Sequence, residues 1–183
     1  MKLGRLNHIG VATPSIADSV AYYRDVMGAT AITEPFDLPE QGVKVCFVDT
    51  PGPSTGSGGA DLGGTQIELI EPLGPDSTLS GFLAKNPLGG QHHVCYEVED
   101  IDEARAWFEA LGKRILGPTR IGAHGTPIFF LHPKDMMGVL TEIMEAPREG
   151  RIGRTNSSTS TPLVLNLSKH PPASNAYPST SSG

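Results

Sequence analysis

Two histidines and two glutamates stand at matched positions in the two halves of the chain, and their side chains can do metal chemistry. These residues are His8, Glu68, His93 and Glu142. Imidazole nitrogens and carboxylate oxygens together suit Mn²⁺, Co²⁺, Ni²⁺, Fe²⁺ or Zn²⁺. Four such ligands in an octahedral site leave two coordination positions for a substrate. The pattern therefore predicts a metal site that can also bind a small molecule.

The alternation of apolar residues predicts which way each histidine faces, because successive side chains of a strand point to opposite faces. Ile9 belongs to the apolar face of its run, so its neighbour His8 faces the other way. In the second half the apolar face begins at Val94. This register directs His93 inward and leaves His92 on the side that a helix covers.

The same alternation turns both glutamates inward. Ile67 and Leu69 form one face of their strand, which sends Glu68 to the opposite face. Ile143 likewise leaves Glu142 on the inner face. A carboxylate inside a sheet is costly unless it is paired or bound to a cation. A divalent metal would satisfy both carboxylates.

An internal repeat supplies the elements that position these residues. Residues 6–28 align with residues 91–112 so that the two inward histidines coincide. Ser15 and Asp100 then occupy equivalent positions, and both are typical helix N-caps. Each copy ends on a glycine, which suits the left-handed position after a helix. Each half therefore opens with a strand, a cap and a helix.

Six further runs of alternating or β-branched residues predict strands at 30–33, 43–49, 65–71, 114–116, 127–131 and 139–144. Each half then reads βαβββ, and residues 77–86 form a short helical linker. The predicted fold is α+β, with two tandem βαβββ modules at about 1–75 and 88–147. We expect the modules to form paired curved sheets around a metal-binding cavity.

Composition excludes several classes of protein. The 183 residues carry a net charge of −6, which argues against nucleic acid as a partner. No run approaches the ~18 consecutive apolar residues of a membrane span, so no membrane partner is expected. Cys46 and Cys95 stand in alternating apolar runs and need no disulfide framework, which favours a reducing compartment. The first strand begins by Leu6, which leaves no room for a leader peptide, and a cytoplasmic location is predicted.

The composition changes after Pro147. Twelve of the 36 residues from Arg148 to Gly183 are Ser or Thr, and four more are Pro. Such a segment cannot bury enough apolar surface to order itself. We expect residues 1–147 to form the folded body and residues 148–183 to form a disordered tail without chemistry.

The duplicated halves resemble the vicinal oxygen chelate superfamily, and several motifs are similar to those of its methylmalonyl-CoA epimerase family. The resemblance covers residues 5–147. The motifs that carry it are LNHIGVA at 6–12, EQGVKV at 40–45, TQIELIEPLG at 65–74, GGQHHV at 89–94, DIDEA at 100–104, FLHPKD at 130–135 and GVLTEI at 138–143.

The resemblance implies that His8, Glu68, His93 and Glu142 are the metal ligands. It implies Co²⁺ as the metal, with Mn²⁺, Ni²⁺ or Zn²⁺ as alternatives. The implied substrate is an acyl-CoA, the implied assembly a homodimer, and the implied location the cytoplasm or, in a eukaryote, the mitochondrial matrix. The implied reaction interconverts the 2R and 2S forms of methylmalonyl-CoA by removing and returning the α-proton, with a divalent metal stabilising the enolate.

The acid and base of this reaction are only partly assigned by the sequence. Glu142 is the predicted base. Some bacterial members of the family have a catalytic glutamate just after the EQGV segment, but Val45 stands there in this chain. Cys46 and a metal-bound water are the candidates for the second group. His124 and His132 lie at loop and strand ends, where we expect surface hydrogen bonds.

Other activities of the superfamily stay open as alternatives. The first alternative is a glyoxalase I-type lactoylglutathione lyase, which shares the enediolate chemistry and can use the same four ligands. A ring-cleaving dioxygenase is less favoured, since it needs Fe²⁺ held by two histidines and a single carboxylate. A non-catalytic ligand-binding member is also less favoured, because all four metal ligands are present.

Overall fold

A computed structural model describes residues 1–50 and 64–147. No helix within these residues is long and apolar enough to cross a membrane. The strands are β1 (Leu6–Ala12), β2 (Phe36–Leu38), β3 (Val43–Asp49), β4 (Gln66–Pro72), β5 (Gly90–Val98), β6 (Ile115–Ile121), β7 (Pro127–Leu131) and β8 (Thr141–Glu145). The helices are α1 (Ile16–Asp25), α2 (Ser80–Leu83) and α3 (Ile101–Ala110), with 3₁₀ turns at Pro39–Gln41 and Pro133–Asp135. The predicted tail lies outside the described residues.

The strands form one mixed sheet in the order β2-β3-β4-β1-β5-β8-β7-β6, which curls into a half-barrel. Both predicted βαβββ modules are present, and the α+β fold class is confirmed. The modules join edge to edge, because β1 and β5 pair antiparallel at the centre. β4 runs parallel to β1, and β8 runs parallel to β5. The four central strands are therefore those that carry the four candidate ligands.

The long helix of each module begins at the predicted N-cap. The Oγ of Ser15 accepts a hydrogen bond from the amide of Asp18 at 3.2 Å. Asp100 Oδ1 accepts one from the amide of Glu103 at 2.8 Å. A glycine with positive φ, 72° in the first module and 67° in the second, follows each helix. The helix boundaries thus follow local sequence signals.

A carboxylate from the last strand of each module also binds the helix N-terminus. The amide of Ile16 donates to Glu71 at 2.6 Å, and the amide of Ile101 donates to Glu145 at 3.1 Å. A negative charge at this position stabilises a helix by about 0.3–1 kcal/mol. Each carboxylate follows the candidate ligand of its strand by three residues, so the two side chains leave opposite faces of the sheet. This contact helps to fix the strand register that turns Glu68 and Glu142 inward.

The apolar core is divided between the two faces of the sheet. The cluster that packs α1 against the sheet consists of Ile16, Cys46, Val48 and Leu69. The cluster that packs α3 against the sheet consists of Val98, Ile101, Ala104, Phe108, Phe129, Leu131 and Ile143. On the other, concave face lie Ala12, Val43, Val45, Phe47, Ile70 and Leu79. The predicted apolar face of each module is therefore confirmed, and the concave face is apolar as well.

The predicted strand at 30–33 is wrong in part. Ile32 makes a single bridge to Val48, and the chain pairs with β3 again only at β2. Pro35 stands between these two contacts and has no amide hydrogen to donate, which interrupts the pairing. Strand β6 is longer than predicted and extends to Ile121.

Candidate metal centre

The four predicted ligands converge on the concave face, and each of these side chains is buried. His8 Nε2 lies 3.5 Å from Glu68 Oε2 and 3.9 Å from Glu142 Oε2. His93 Nε2 lies 3.3 Å and 3.2 Å from the same two oxygens. The two Nε2 atoms are 3.2 Å apart. The structure thus brings together all four residues that the sequence selects.

Gly10 makes this convergence possible. It lies opposite Glu68 on one side and His93 on the other. A Cβ atom at this position would stand 2.0 Å from the Cε1 atom of the His93 ring. The ring of His93 therefore occupies the space that any side chain at position 10 would need.

The spacing of the donor atoms fits a divalent cation. Metal bonds of about 2.0–2.2 Å place neighbouring donors about 3 Å apart when the bonds meet at right angles. The donor atoms of His8, Glu68 and His93 all lie within 4.8 Å of one another. Those of His8, Cys95 and Glu142 form a second group of this kind. The described residues therefore include a buried nitrogen and oxygen cluster that could hold a metal ion.

The charges of the cluster also favour a cation. Burial lowers the pKa of His8 to about 4, which keeps the imidazole in the neutral form that binds metals. Burial lowers the pKa of His93 too, but hydrogen bonds to Glu142 and Glu68 outweigh it and raise the pKa to about 10. Burial raises the pKa of Glu142. The pKa of Glu68 is lowered, because contacts with His93 and His8 outweigh its burial. Two buried carboxylates thus favour a positive charge between them, which either a protonated His93 or a bound divalent cation would supply.

The expectation that His92 lies on the helix-covered side is wrong. Gly10 pairs with His93 and Val11 pairs with Gln91, so His92 is the extra residue of a β-bulge. Its Nδ1 lies 3.0 Å from Nδ1 of His93, and its ring packs edge-on against Phe82 of α2. Strict alternation does not hold across a bulge, and both histidines border the same cavity.

His124 is a second residue that the sequence misplaced. Its ring stacks on His8, with centroids 5.2 Å apart, and packs against Phe47 at 4.4 Å. Its Nε2 lies 2.7 Å from Gln66 Oε1. The loop after β6 in the second module thus covers His8, a candidate ligand of the first module. Periodicity cannot reveal this contact, because the loop has none and the partners are distant in sequence.

The two cysteines lie on opposite sides of the sheet. Cys46 packs under α1, donates to the carbonyl of Thr33 at 3.2 Å, and has its pKa raised to about 11, mainly by burial. It therefore does not face the cluster, and the structure removes it as a candidate acid or base. Cys95 lies beside Glu142 and hydrogen-bonds to it, while burial and both carboxylates raise the pKa of its thiol.

A cavity of about 320 Å³ adjoins the cluster. Glu68, His92 and His93 form its polar wall, and Gln41 and Arg120 also border it. The apolar wall consists of Leu38, Val43, Val45, Ile70, Leu79, Leu116, Phe130 and Leu140. A small molecule in this cavity would contact Glu68 and His93 of the cluster on one side and aliphatic side chains on the other.

A family model described as the glyoxalase/bleomycin resistance protein/dioxygenase superfamily matches residues 7–130. The chain belongs to this superfamily. The match spans most of both modules, including three of the four candidate ligands. The predicted α+β fold of two tandem βαβββ modules is confirmed, and the structure joins the modules in one curled half-barrel sheet.

Curated relatives narrow the comparison within the superfamily. The ethylmalonyl-CoA/methylmalonyl-CoA epimerase of Cereibacter sphaeroides is 46% identical over 143 residues, which are 77% of this chain and 97% of that protein. The mitochondrial methylmalonyl-CoA epimerase of Mus musculus is 47% identical over 146 residues, 79% of this chain and 75% of that protein. The predicted resemblance to methylmalonyl-CoA epimerases is confirmed.

Solved structures give the same result. A variant of Streptomyces coelicolor methylmalonyl-CoA epimerase in complex with 2-nitronate-propionyl-CoA superposes with a TM-score of 0.70 at 33% identity. It matches 80% of this chain and 100% of that one. A methylmalonyl-CoA epimerase in complex with methylmalonyl-CoA and NH₄⁺ superposes with a TM-score of 0.68 at 34% identity, over 79% of this chain and 96% of that one.

Proposed function

We propose that this chain interconverts the 2R and 2S forms of methylmalonyl-CoA with a divalent metal, Co²⁺ by preference, bound by His8, Glu68, His93 and Glu142. The observation that carries the proposal is the convergence of these four buried side chains beside a cavity. The similarity to epimerases at 46% and 47% identity supports the reaction.

The cavity suits the chemistry of an acyl thioester that carries a carboxylate. The reacting carbon lies between a thioester carbonyl and a carboxylate. One oxygen of each group could occupy the two coordination positions that four protein ligands would leave open on an octahedral metal. When bound, the metal would stabilise the negative charge that develops on the thioester oxygen as the α-proton leaves. The aliphatic wall, with Val45 and Ile70, excludes water from the reacting carbon.

Glu142 is the base that we propose for one face of the reacting carbon. Its carboxylate is buried and its pKa is raised above the ordinary value, chiefly by burial, which makes it a better proton acceptor. Glu68 is the group that we propose for the other face. It borders the cavity and extends from β4, which lies on the far side of the β1–β5 pair from β8.

The positive charge of Arg120 at the cavity favours an anionic substrate. Its guanidinium lies 5.4 Å from the centre of the Phe130 ring, which packs against His93 at 5.5 Å. Within the part of the chain that the structure describes, Arg120 forms no ion pair with a carboxylate. We expect Arg120→Gln to raise the KM for methylmalonyl-CoA about tenfold or more, the scale of a lost charge-assisted hydrogen bond, with kcat much less affected.

Exchange of the α-proton tests the proposed reaction directly. Metal-loaded protein is incubated with (2R)- or (2S)-methylmalonyl-CoA in D₂O, and deuterium at the α-carbon is followed by NMR. We expect exchange and inversion from both epimers with the wild-type protein. We expect no exchange and no inversion with His93→Ala. Absence of exchange in protein with full metal occupancy would refute the proposal. Turnover of the glutathione hemithioacetal of methylglyoxal instead would favour the lactoylglutathione lyase.

Three further features of the chain stay predictions. A homodimer is expected, and large apolar side chains exposed on both long helices, such as Tyr22 on α1 and Trp107 on α3, are compatible with it. Light scattering would measure the mass.

Truncation after Pro147 should leave metal content and turnover intact if the tail has no chemistry. A cytoplasmic location is tested by fractionation.

A further inference from the structure

Asn7 lies between His8 and a carboxylate of the other module. The side chain of Asn7 is buried, and its Oδ1 lies 2.9 Å from Nδ1 of His8. Its Nδ2 donates to Glu97 Oε1 at 2.8 Å. Arg5 Nε donates to the same oxygen at 2.9 Å. These contacts form a chain of hydrogen bonds from Arg5 through Glu97 and Asn7 to His8.

The chain of hydrogen bonds fixes the orientation of the Asn7 amide. An ionised carboxylate only accepts hydrogen bonds, so the group of Asn7 that faces Glu97 must be its NH₂. The oxygen of the amide must then face His8. An oxygen without a hydrogen requires a donor, so the proton of the neutral His8 imidazole must be on Nδ1. The lone pair is consequently on Nε2, the atom that faces Glu68 and His93.

We infer that Asn7, oriented by Glu97, is a positioning residue that holds His8 in the Nδ1–H tautomer required for metal binding through Nε2. The inference rests on the metal site of the proposed function. A metal-bound histidine usually donates its other N–H to a fixed acceptor, and loss of that acceptor costs about 10–100-fold in metal affinity. Asn7 has this position in the first module.

The second module does not impose the tautomer in this way. The Nδ1 of His93 faces the Nδ1 of His92, and an imidazole can be either the donor or the acceptor of this contact. The amide of Asn7 has no second tautomer, so it imposes one tautomer on His8, whereas His92 imposes none on His93.

Metal affinity is the first test. Asn7→Leu keeps the approximate size of the side chain and removes the acceptor. We expect its Kd for Co²⁺, measured by competition with a chromophoric chelator, to rise 10–100-fold while the stoichiometry stays at one. Asn86→Leu is the matched control, because it makes the same substitution at an exposed asparagine whose Nδ2 donates to the carbonyl of Phe82. We expect this variant to keep the wild-type Kd.

The tautomer of His8 is the second test, and a merely structural role of Asn7 would not alter it. Long-range ¹H–¹⁵N spectra distinguish Nδ1–H from Nε2–H in metal-free and Zn²⁺-loaded protein. We expect wild-type protein and Asn86→Leu to show Nδ1–H at His8, and metal-free Asn7→Leu to show a mixture. An Nε2–H tautomer in the wild type, or an unchanged Kd for Asn7→Leu, would overturn the inference. Neither measurement uses a substrate, so a failure of the epimerase assay leaves the inference standing.

Discussion

The two modules share their scaffold contacts and differ in the residues that surround their candidate metal ligands. In both, the residue before the first helix caps it and a glutamate of the last strand binds its N-terminus. By contrast, the residue before the inward histidine is Asn7 in the first module and His92 in the second. The residue two positions after that histidine is Gly10 in the first module and Cys95 in the second. The repeat thus preserves the frame while the two sides of the cluster differ chemically.

This difference matters for a reaction that acts on both faces of one carbon. An inversion needs one group that removes the proton and another that returns it from the opposite face. Burial raises the pKa of Glu142, whereas contacts with His93 and His8 lower that of Glu68. Two equivalent carboxylates have therefore become unlike acids without any change of residue type.

The largest expected effect separates the two adjacent histidines of the second module. His93→Ala removes an Nε2 that lies within 3.3 Å of both carboxylates, and we expect it to lose the metal. His92→Ala removes only a neighbour of His93 Nδ1, so it should retain one equivalent of metal with weaker affinity. Elemental analysis after dialysis measures both. The reverse order of metal contents would mean that His92 is the ligand.

The next effect concerns the two carboxylates. In Glu142→Gln the amide oxygen can still bind a metal but the group cannot accept a proton, so we expect kcat to fall about 100-fold or more with metal retained. Exchange with D₂O should fail from one epimer only. Glu68→Gln should show the opposite preference.

Stopped assays that start from each epimer separately measure this preference. The two variants act as controls for each other, because each keeps one carboxylate of the pair. If both variants lose exchange from the same epimer, the two carboxylates do not serve opposite faces. Near-native turnover by Glu142→Gln with full metal occupancy would move the base elsewhere.

A smaller effect is expected at the equivalent positions 10 and 95. Gly10→Ala places a Cβ atom inside the ring of His93, so the ring must move. We expect weaker metal binding and a loss of about 1–3 kcal/mol in the free energy of unfolding, the usual cost of overpacking. Cys95→Ala removes a single buried atom beside Glu142 and should retain the metal. Calorimetry and metal titration check both variants. Equal losses of stability and metal affinity in the two variants would show that positions 10 and 95 do not differ in their effect on the site.

A surface ion pair of the second module gives the smallest effect and a baseline for the others. Arg114 donates to Asp135 from its side chain and from its backbone amide, which holds the pKa of that carboxyl well below its usual range. A depressed folded-state pKa stabilises the protein above the unfolded pKa of about 3.9 and ceases to do so as the pH falls through the folded value. Asp135→Asn should thus be slightly less stable than wild type at pH 7. In urea unfolding this difference should narrow below pH ~4, and a difference that grows in acid would contradict the assignment.

Much of the fold follows from local signals in the sequence. The caps at Ser15 and Asp100 and the alternation around Glu68 each depend on a few neighbouring residues, and the structure confirms them. The edge of the first module is harder to predict, because residues 30–33 read as a strand but pair only briefly before Pro35. A pairing partner cannot be read from one strand alone.

The candidate site shows the same division. The repeat and the strand register, which are properties of the sequence, select the four candidate ligands. His92 was misplaced because a β-bulge shifts the alternation by one residue, and the motif gives no sign of the bulge. His124 was missed because a loop of one module reaches the other only in the folded chain.

The pairing of β1 with β5 has a consequence for the origin of the site. Each module contributes one histidine and one glutamate, and the two modules meet along these central strands. A half-length chain with a single module would leave its β1 edge open. Two copies of such a chain, paired antiparallel through that edge, would form a symmetric cluster of two histidines and two glutamates. Fusion of the copies into one chain would then free each half to change its side of the cluster independently.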